Sequence, residues 1–216
     1  MLRHSTNTPY AVGAAWLLVA SLLALTPLAA RGQSIAYPPE PEAMERLTED
    51  ANRGKMKAQR MLGDIWSSEN NHRRDFDEAV KWYSAAAAQD SPKAQYRLGQ
   101  IYQSGTGVLQ DRGEALRWFT KASEQGDAKA MVELGKLYYI GDGVKKDYVL
   151  AHFWFNVATK EGSNVGELKR NIMATGMSPA QIAKAERMAR DWHPKRPPKC
   201  VLDESCLPMQ FKQAGQ

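Results

Sequence analysis

The chain has two cysteines in 216 residues, and both lie in its tail, at Cys200 and Cys206. That scarcity excludes a disulfide framework through the body of the chain and a four-thiolate zinc site. The two cysteines also lack the C-x-x-C spacing of a redox pair. Histidine is almost as scarce: after the first 32 residues only His72, His152 and His193 remain. They are far apart in sequence and fall in no H-E-x-x-H spacing, so no metal site is expected. A G-x-S-x-G nucleophile elbow, a P-loop and a dinucleotide fingerprint are all absent. Charge of one sign is lacking too, with 29 Lys and Arg against 24 Asp and Glu. The short basic clusters Arg73-Arg74, Lys145-Lys146 and Lys195-Arg196 read as solvated surface rather than a nucleic-acid footprint. No catalytic residue, cofactor or nucleic-acid partner is expected.

Long apolar runs are absent except at the start. Ala11 to Ala30 is interrupted only by Ser21, Thr26 and Pro27, follows Arg3 and His4, and ends in Ala30-Arg31-Gly32. A short basic start, an apolar stretch and small residues at its end read as a signal peptide over residues 1–32. The competing reading is an uncleaved anchor, since the run is long enough to span a bilayer. Cleavage would remove Arg3 and Arg31 and no acid, taking the net charge from +5 to +3. A periplasmic or secreted protein is expected, with no membrane contact after cleavage. Residues 33–41, with Pro38, Pro39 and Pro41, read as an extended leader.

What the chain has in abundance is itself. Ala58, Ala94 and Ala130 are spaced by 36 residues, as are Leu62, Leu98 and Leu134, Gly63, Gly99 and Gly135, Asp75, Asp111 and Asp147, and Trp82, Trp118 and Trp154. A fixed period in this range marks a solenoid, whose units bury their apolar faces only against neighbours. Three repeats are expected, over 58–93, 94–129 and 130–165.

Within the middle repeat, Ala94, Leu98, Ile101 and Tyr102 make one face of a first helix. Gly105 and Gly107 supply the positive φ of a helix end and tight turn. Asp111 is placed to cap a second helix carrying Ala115, Trp118, Phe119 and Ala122. Small residues allow close approach, so Gly99 and Ala115 are expected to make room for Trp118 and Tyr102. The aromatic stripe reads as core rather than a stacking platform.

The pattern A-x3-L-G-x2-Y-x2-G-x-G-V-x2-D-x3-A-x2-W-[YF]-x2-A-x3-G resembles the Sel1-like repeat family, relatives of the tetratricopeptide repeat. Gly105, Gly107, Val108, Asp111, Ala115, Trp118, Ala122 and Gly126 carry it in the middle copy. Gly141, Gly143, Val144, Asp147, Ala151, Trp154, Ala158 and Gly162 carry it in the third. The first copy departs, with Glu69, Asn71 and Asp90 at glycine positions. The resemblance implies an all-α, right-handed α-solenoid of antiparallel helix pairs, an interaction scaffold, and a bacterial envelope setting. Similar exported proteins regulate sensor proteins or help assemble envelope and polysaccharide machinery. Some cysteine-rich relatives are associated with β-lactams, but they carry a cysteine pair in every repeat.

The repeat domain is expected over 42–192. Residues 42–57 match the second half of a repeat and read as a capping helix, and residues 166–192 read as two C-terminal capping helices. Ser178 followed by Pro179 is a strong helix start. Residues 193–216, proline-rich and without periodicity, read as a tail. In an exported protein Cys200 and Cys206 are expected to pair as a disulfide that staples this tail. His152 stands in register with Val80 and Leu116, as a core or groove histidine.

By analogy with tetratricopeptide-like solenoids, the first helices line the concave face. Their non-core positions, Arg60, Asp64, Tyr96, Gln100, Gln103, Lys136 and Tyr139, are the expected contacts for a segment of another protein, one of the cell envelope. The alternatives are a cell-wall-related hydrolase and a glycan binder using exposed Trp66 or Tyr139.

Overall fold

The computed structural model describes residues 40–68 and 75–195. The expected signal peptide, nearly all of the leader, the first repeat's loop at 69–74 and the Cys200–Cys206 pair lie outside the described residues. Among the described residues there are nine α-helices and no strand. They are α1 (Pro41–Asn52), α2 (Met56–Ser67), α3 (Phe76–Ala88), α4 (Pro92–Ser104), α5 (Arg112–Glu124), α6 (Ala128–Ile140), α7 (Tyr148–Lys160), α8 (Asn164–Ala174) and α9 (Pro179–Asp191). The starts of α2, α4, α6 and α8 are 36 residues apart, as are those of α3, α5 and α7. The even-numbered helices form the first-helix layer and the odd-numbered ones the second.

The caps come from the residues the repeat conserves internally. Asp75 accepts from the backbone N–H of Asp77 and Glu78, Asp111 from that of Glu114, and Asp147 from that of Leu150. Each satisfies donors that a helix start leaves unpaired. Ser178 and Gln181 form a reciprocal capping box at α9,. Gly105 and Gly107 adopt φ of 70° and 74°. Asp90 takes φ 61° at the turn where other repeats place glycine.

The core runs between the layers. Leu62, Leu98 and Leu134 are fully buried, as are Tyr83 and Phe119. Glycine makes room here, though not for the tryptophans. A Cβ on Gly99 would sit 2.6 Å from the ring of Phe119, and one on Gly63 would sit 2.5 Å from that of Tyr83. Gly135 stands against Phe155 in the same way. The expected partner of Gly99, Trp118, one position earlier, is half-buried against the α3–α4 core instead. The reason is helical geometry: adjacent residues point about 100° apart, so Trp118 and Phe119 cannot both point at Gly99.

Neighbouring repeats are also tied by glutamines. Gln59 donates to the Ala51 carbonyl at 3.1 Å and Gln95 to that of Ala87 at 3.3 Å. Gln89 then donates to Gln59 at 2.7 Å, and Gln125 to Gln95 at 2.7 Å. At the third junction Met131, fully buried, replaces the glutamine. At the C-terminal end α9 packs on α7, Trp192 meets Trp154 edge-on at 6.0 Å, and Lys195 binds Glu124 at the end of α5.

Candidate protein-binding face

The first helices set equivalent positions in rows across their layer. One row holds Arg60, Tyr96, Val132 and Leu168; the next holds Asp64, Gln100, Lys136 and Ile172; a third holds Ser67, Gln103, Tyr139 and Thr175. Six of the seven expected contacts are half-buried and Tyr139 is exposed. Periodicity fixed the rows, but not what each side chain holds on to.

At the α2–α4 end the rows are internally engaged. Asp64 is ion-paired with Arg60, lies 3.6 Å from the Arg97 guanidinium, and accepts the Tyr83 hydroxyl at 2.8 Å. Ser67 bonds the same hydroxyl at 3.0 Å. Burial raises the Tyr83 hydroxyl pKa, and the Asp64 carboxylate raises it further, so it stays a donor,. This cluster stitches α2, α3 and α4 together. At α4–α6, Tyr96 packs on Phe119 with centroids 6.0 Å apart. Its hydroxyl pKa is raised by burial and then by Glu133. Gln100 accepts from Arg97 at 3.2 Å, and the Gln103 carbonyl accepts from Gln110 at 2.7 Å. Lys136 pairs with Glu133 at 2.7 Å.

The α6–α8 end is open. Lys136 and Tyr139 line a cavity of about 620 Å³ together with Ile140, Tyr148, Lys169, Ile172 and the α8–α9 connection. The rings of Tyr139 and Tyr148 are 5.7 Å apart, and Tyr139 is 49% exposed. Thus the structure brings together Lys136 and Tyr139, while Arg60 and Asp64 form a separate cluster on α2. Sequence reasoning missed Ile140, Tyr148, Lys169 and Ile172. Ile172 was signalled: it lies 36 residues after Lys136, in a helix read only as a cap.

Other readings have less to stand on. Of the two aromatic residues named for glycan binding, Trp66 is half-buried against the α2–α3 core and Tyr139 is exposed. His152 is buried, its Nδ1 has no hydrogen-bond partner, and burial holds its pKa below the ordinary value,. Among the described residues no cluster of three or more His, Cys, Asp or Glu side chains could hold a metal ion. No helix among them is long and apolar enough to cross a membrane.

The Sel1 repeat family model matches residues 57–91, 92–127 and 128–163. A Sel1 repeat protein from Oxalobacter formigenes is 31% identical, with a TM-score of 0.55, over 60% of this chain and 98% of that one. A protective antigen of uropathogenic Escherichia coli strains, described as displaying an SLR fold, is 37% identical with a TM-score of 0.63. That match covers 70% of this chain and 32% of the antigen, so the chain spans about a third of the antigen's length. No curated protein matches the chain.

Proposed function

The chain belongs to the Sel1 repeat family, whose members are generally protein-interaction scaffolds, and on that footing we propose that it is an exported adaptor of the bacterial envelope. Its first-helix face holds a segment of another envelope protein. Arg60, Asp64, Tyr96, Gln100, Gln103, Lys136 and Tyr139 line the track, and the bound protein is a sensor or part of an assembly system.

The observation that carries this reading is the unequal finish of the two layers. The second-helix layer closes on itself at the C-terminal end, where α9 covers α7. The first-helix layer ends instead in an open cavity lined by the expected contacts Lys136 and Tyr139. An aromatic anchor beside a polar rim is the composition of a protein-binding patch. Export is supported by the apolar run from Ala11 to Ala30 and the small residues that follow it,.

Site-specific photo-crosslinking tests the assignment. A photoreactive residue at Gln100 or Tyr139 should crosslink to one discrete envelope protein, whereas one at the exposed second-helix position Arg117 should not. Crosslinking from Arg117 alone would place the binding face on the other layer and refute the reading.

A further inference from the structure

The cavity between α6 and α8 exists because one loop is short. The α4–α5 and α6–α7 connections are seven residues each, 105–111 and 141–147, while the α8–α9 connection has four, 175–178. The longer loops cover the start of the second helix in the preceding repeat. Gly107 lies against Phe76, and a Cβ on Gly143 would sit 2.7 Å from that of Arg112. Tyr148 occupies the next equivalent position, 36 residues after Arg112. Tyr148 is 41% exposed.

The sequence departs from the repeat at the same place. Positions held by Ser67 and Gln103 become Tyr139, and those held by Ser68 and Ser104 become Ile140. The position of Asp64 and Gln100 becomes Lys136 and then Ile172. Ile140 and Ile172 are 64% and 61% exposed. Polar residues therefore turn apolar where the covering loop is missing, which is the pattern of a surface completed by another molecule.

Charge identifies what completes it. Lys136 and Lys169 line the cavity, and the Lys146 ammonium lies 5.7 Å from the Tyr148 ring centroid. Lys136 is paired with Glu133, as Arg112 is with Asp142 and Arg170 with Glu167, which leaves Lys146 and Lys169 against the single carboxylate of Asp147 at the cap of α7. The rim is therefore cationic around an apolar floor.

We infer that this cavity is the anchor point of the partner, and that the partner presents there an acidic peptide segment carrying a bulky aromatic or aliphatic side chain. The side chain enters between Tyr139, Tyr148 and Ile172, and its acidic neighbours pair with Lys146 and Lys169 beside the Lys136–Glu133 pair. The inference rests on the adaptor reading and adds the partner's chemistry to it.

Selection from a random displayed dodecapeptide library against the full chain tests it. Enriched peptides should combine Asp or Glu with Phe, Trp, Leu or Ile. Their affinity should fall with added salt, and about tenfold or more with Ile140→Asp plus Ile172→Asp or with Lys136→Glu plus Lys169→Glu. Ile140 and Ile172 are exposed and Lys136 and Lys169 half-buried, and unchanged thermal melting of each variant separates lost binding from lost fold. No enrichment, basic or uncharged peptides, or oligoglutamate binding as well as the selected peptides would overturn the inference. Peptides that keep their affinity in both double variants but lose it in Tyr96→Ala would overturn it while leaving the adaptor reading intact.

Discussion

The Phe119 ring occupies the space that a side chain at Gly99 would need, with three ring atoms within 3.0 Å of the Cβ position. Phe119 is fully buried and cannot swing aside. Gly99→Ala should gain up to about 1 kcal/mol of helix propensity and lose about 1–3 kcal/mol to overpacking, so the net effect is destabilising. Denaturant unfolding checks the sign. Phe119→Leu in the same chain should recover part of the loss, and strict additivity of the two changes would refute the contact.

Removing the cap at Asp111 should cost about 1 kcal/mol, because Asp111→Ala leaves the α5 start without its acceptor,. Asp90 offers the opposite case. It alone among the described non-glycine residues has a positive φ, at a turn where Gly54, Gly126 and Gly162 adopt the same region. Asp90→Gly should therefore raise stability, by about 0.5 kcal/mol. A loss of stability in urea melts would show that the aspartate side chain contributes more than its backbone strain costs.

His152 makes stability depend on pH. Burial holds its folded pKa below the ordinary 6.5, with Glu186 opposing that shift and Arg170 adding to it. The unfolded chain then binds the proton more readily, so the contribution is complete above about pH 6.5 and declines as pH falls toward the folded value. His152→Leu, which restores the residue found at Leu116, should flatten the fall in melting temperature between pH 7.5 and 5. Equal slopes in both proteins would contradict this account.

Tyr83→Phe should destabilise by about 1 kcal/mol, since it removes the bonds to Asp64 and Ser67 from a buried site,. It also separates two roles of Asp64. If Asp64 serves mainly to brace α2 against α3 and α4, Asp64→Asn will lower stability and leave partner affinity within about threefold, a difference under 1 kcal/mol. Partner affinity lost without loss of stability would assign Asp64 to the contact itself.

The fold was legible because a solenoid writes its architecture repeatedly. Asp111 and Asp147 announced their caps, and the 36-residue step located each helix pair. Side-chain pairing was less legible. Trp118 and Phe119 are adjacent and both apolar, and only the rotation of α5 decides that Phe119 faces Gly99. The candidate face was half legible. Its rows follow from register, whereas the cavity arises from a loop that is shorter than its equivalents. Ile140 and Ile172 read as ordinary helix residues until that missing cover is seen.

The most direct test of the adaptor account is co-purification from envelope extract with the tagged chain, beside the same chain carrying Tyr96→Ala and Lys136→Glu. The account predicts one discrete protein that crosslinks to the unaltered chain and is lost from the double variant, while both chains remain folded with a cooperative melting transition. Equal recovery of that protein with both chains would contradict it, because the partner would then be held elsewhere than on the first-helix face.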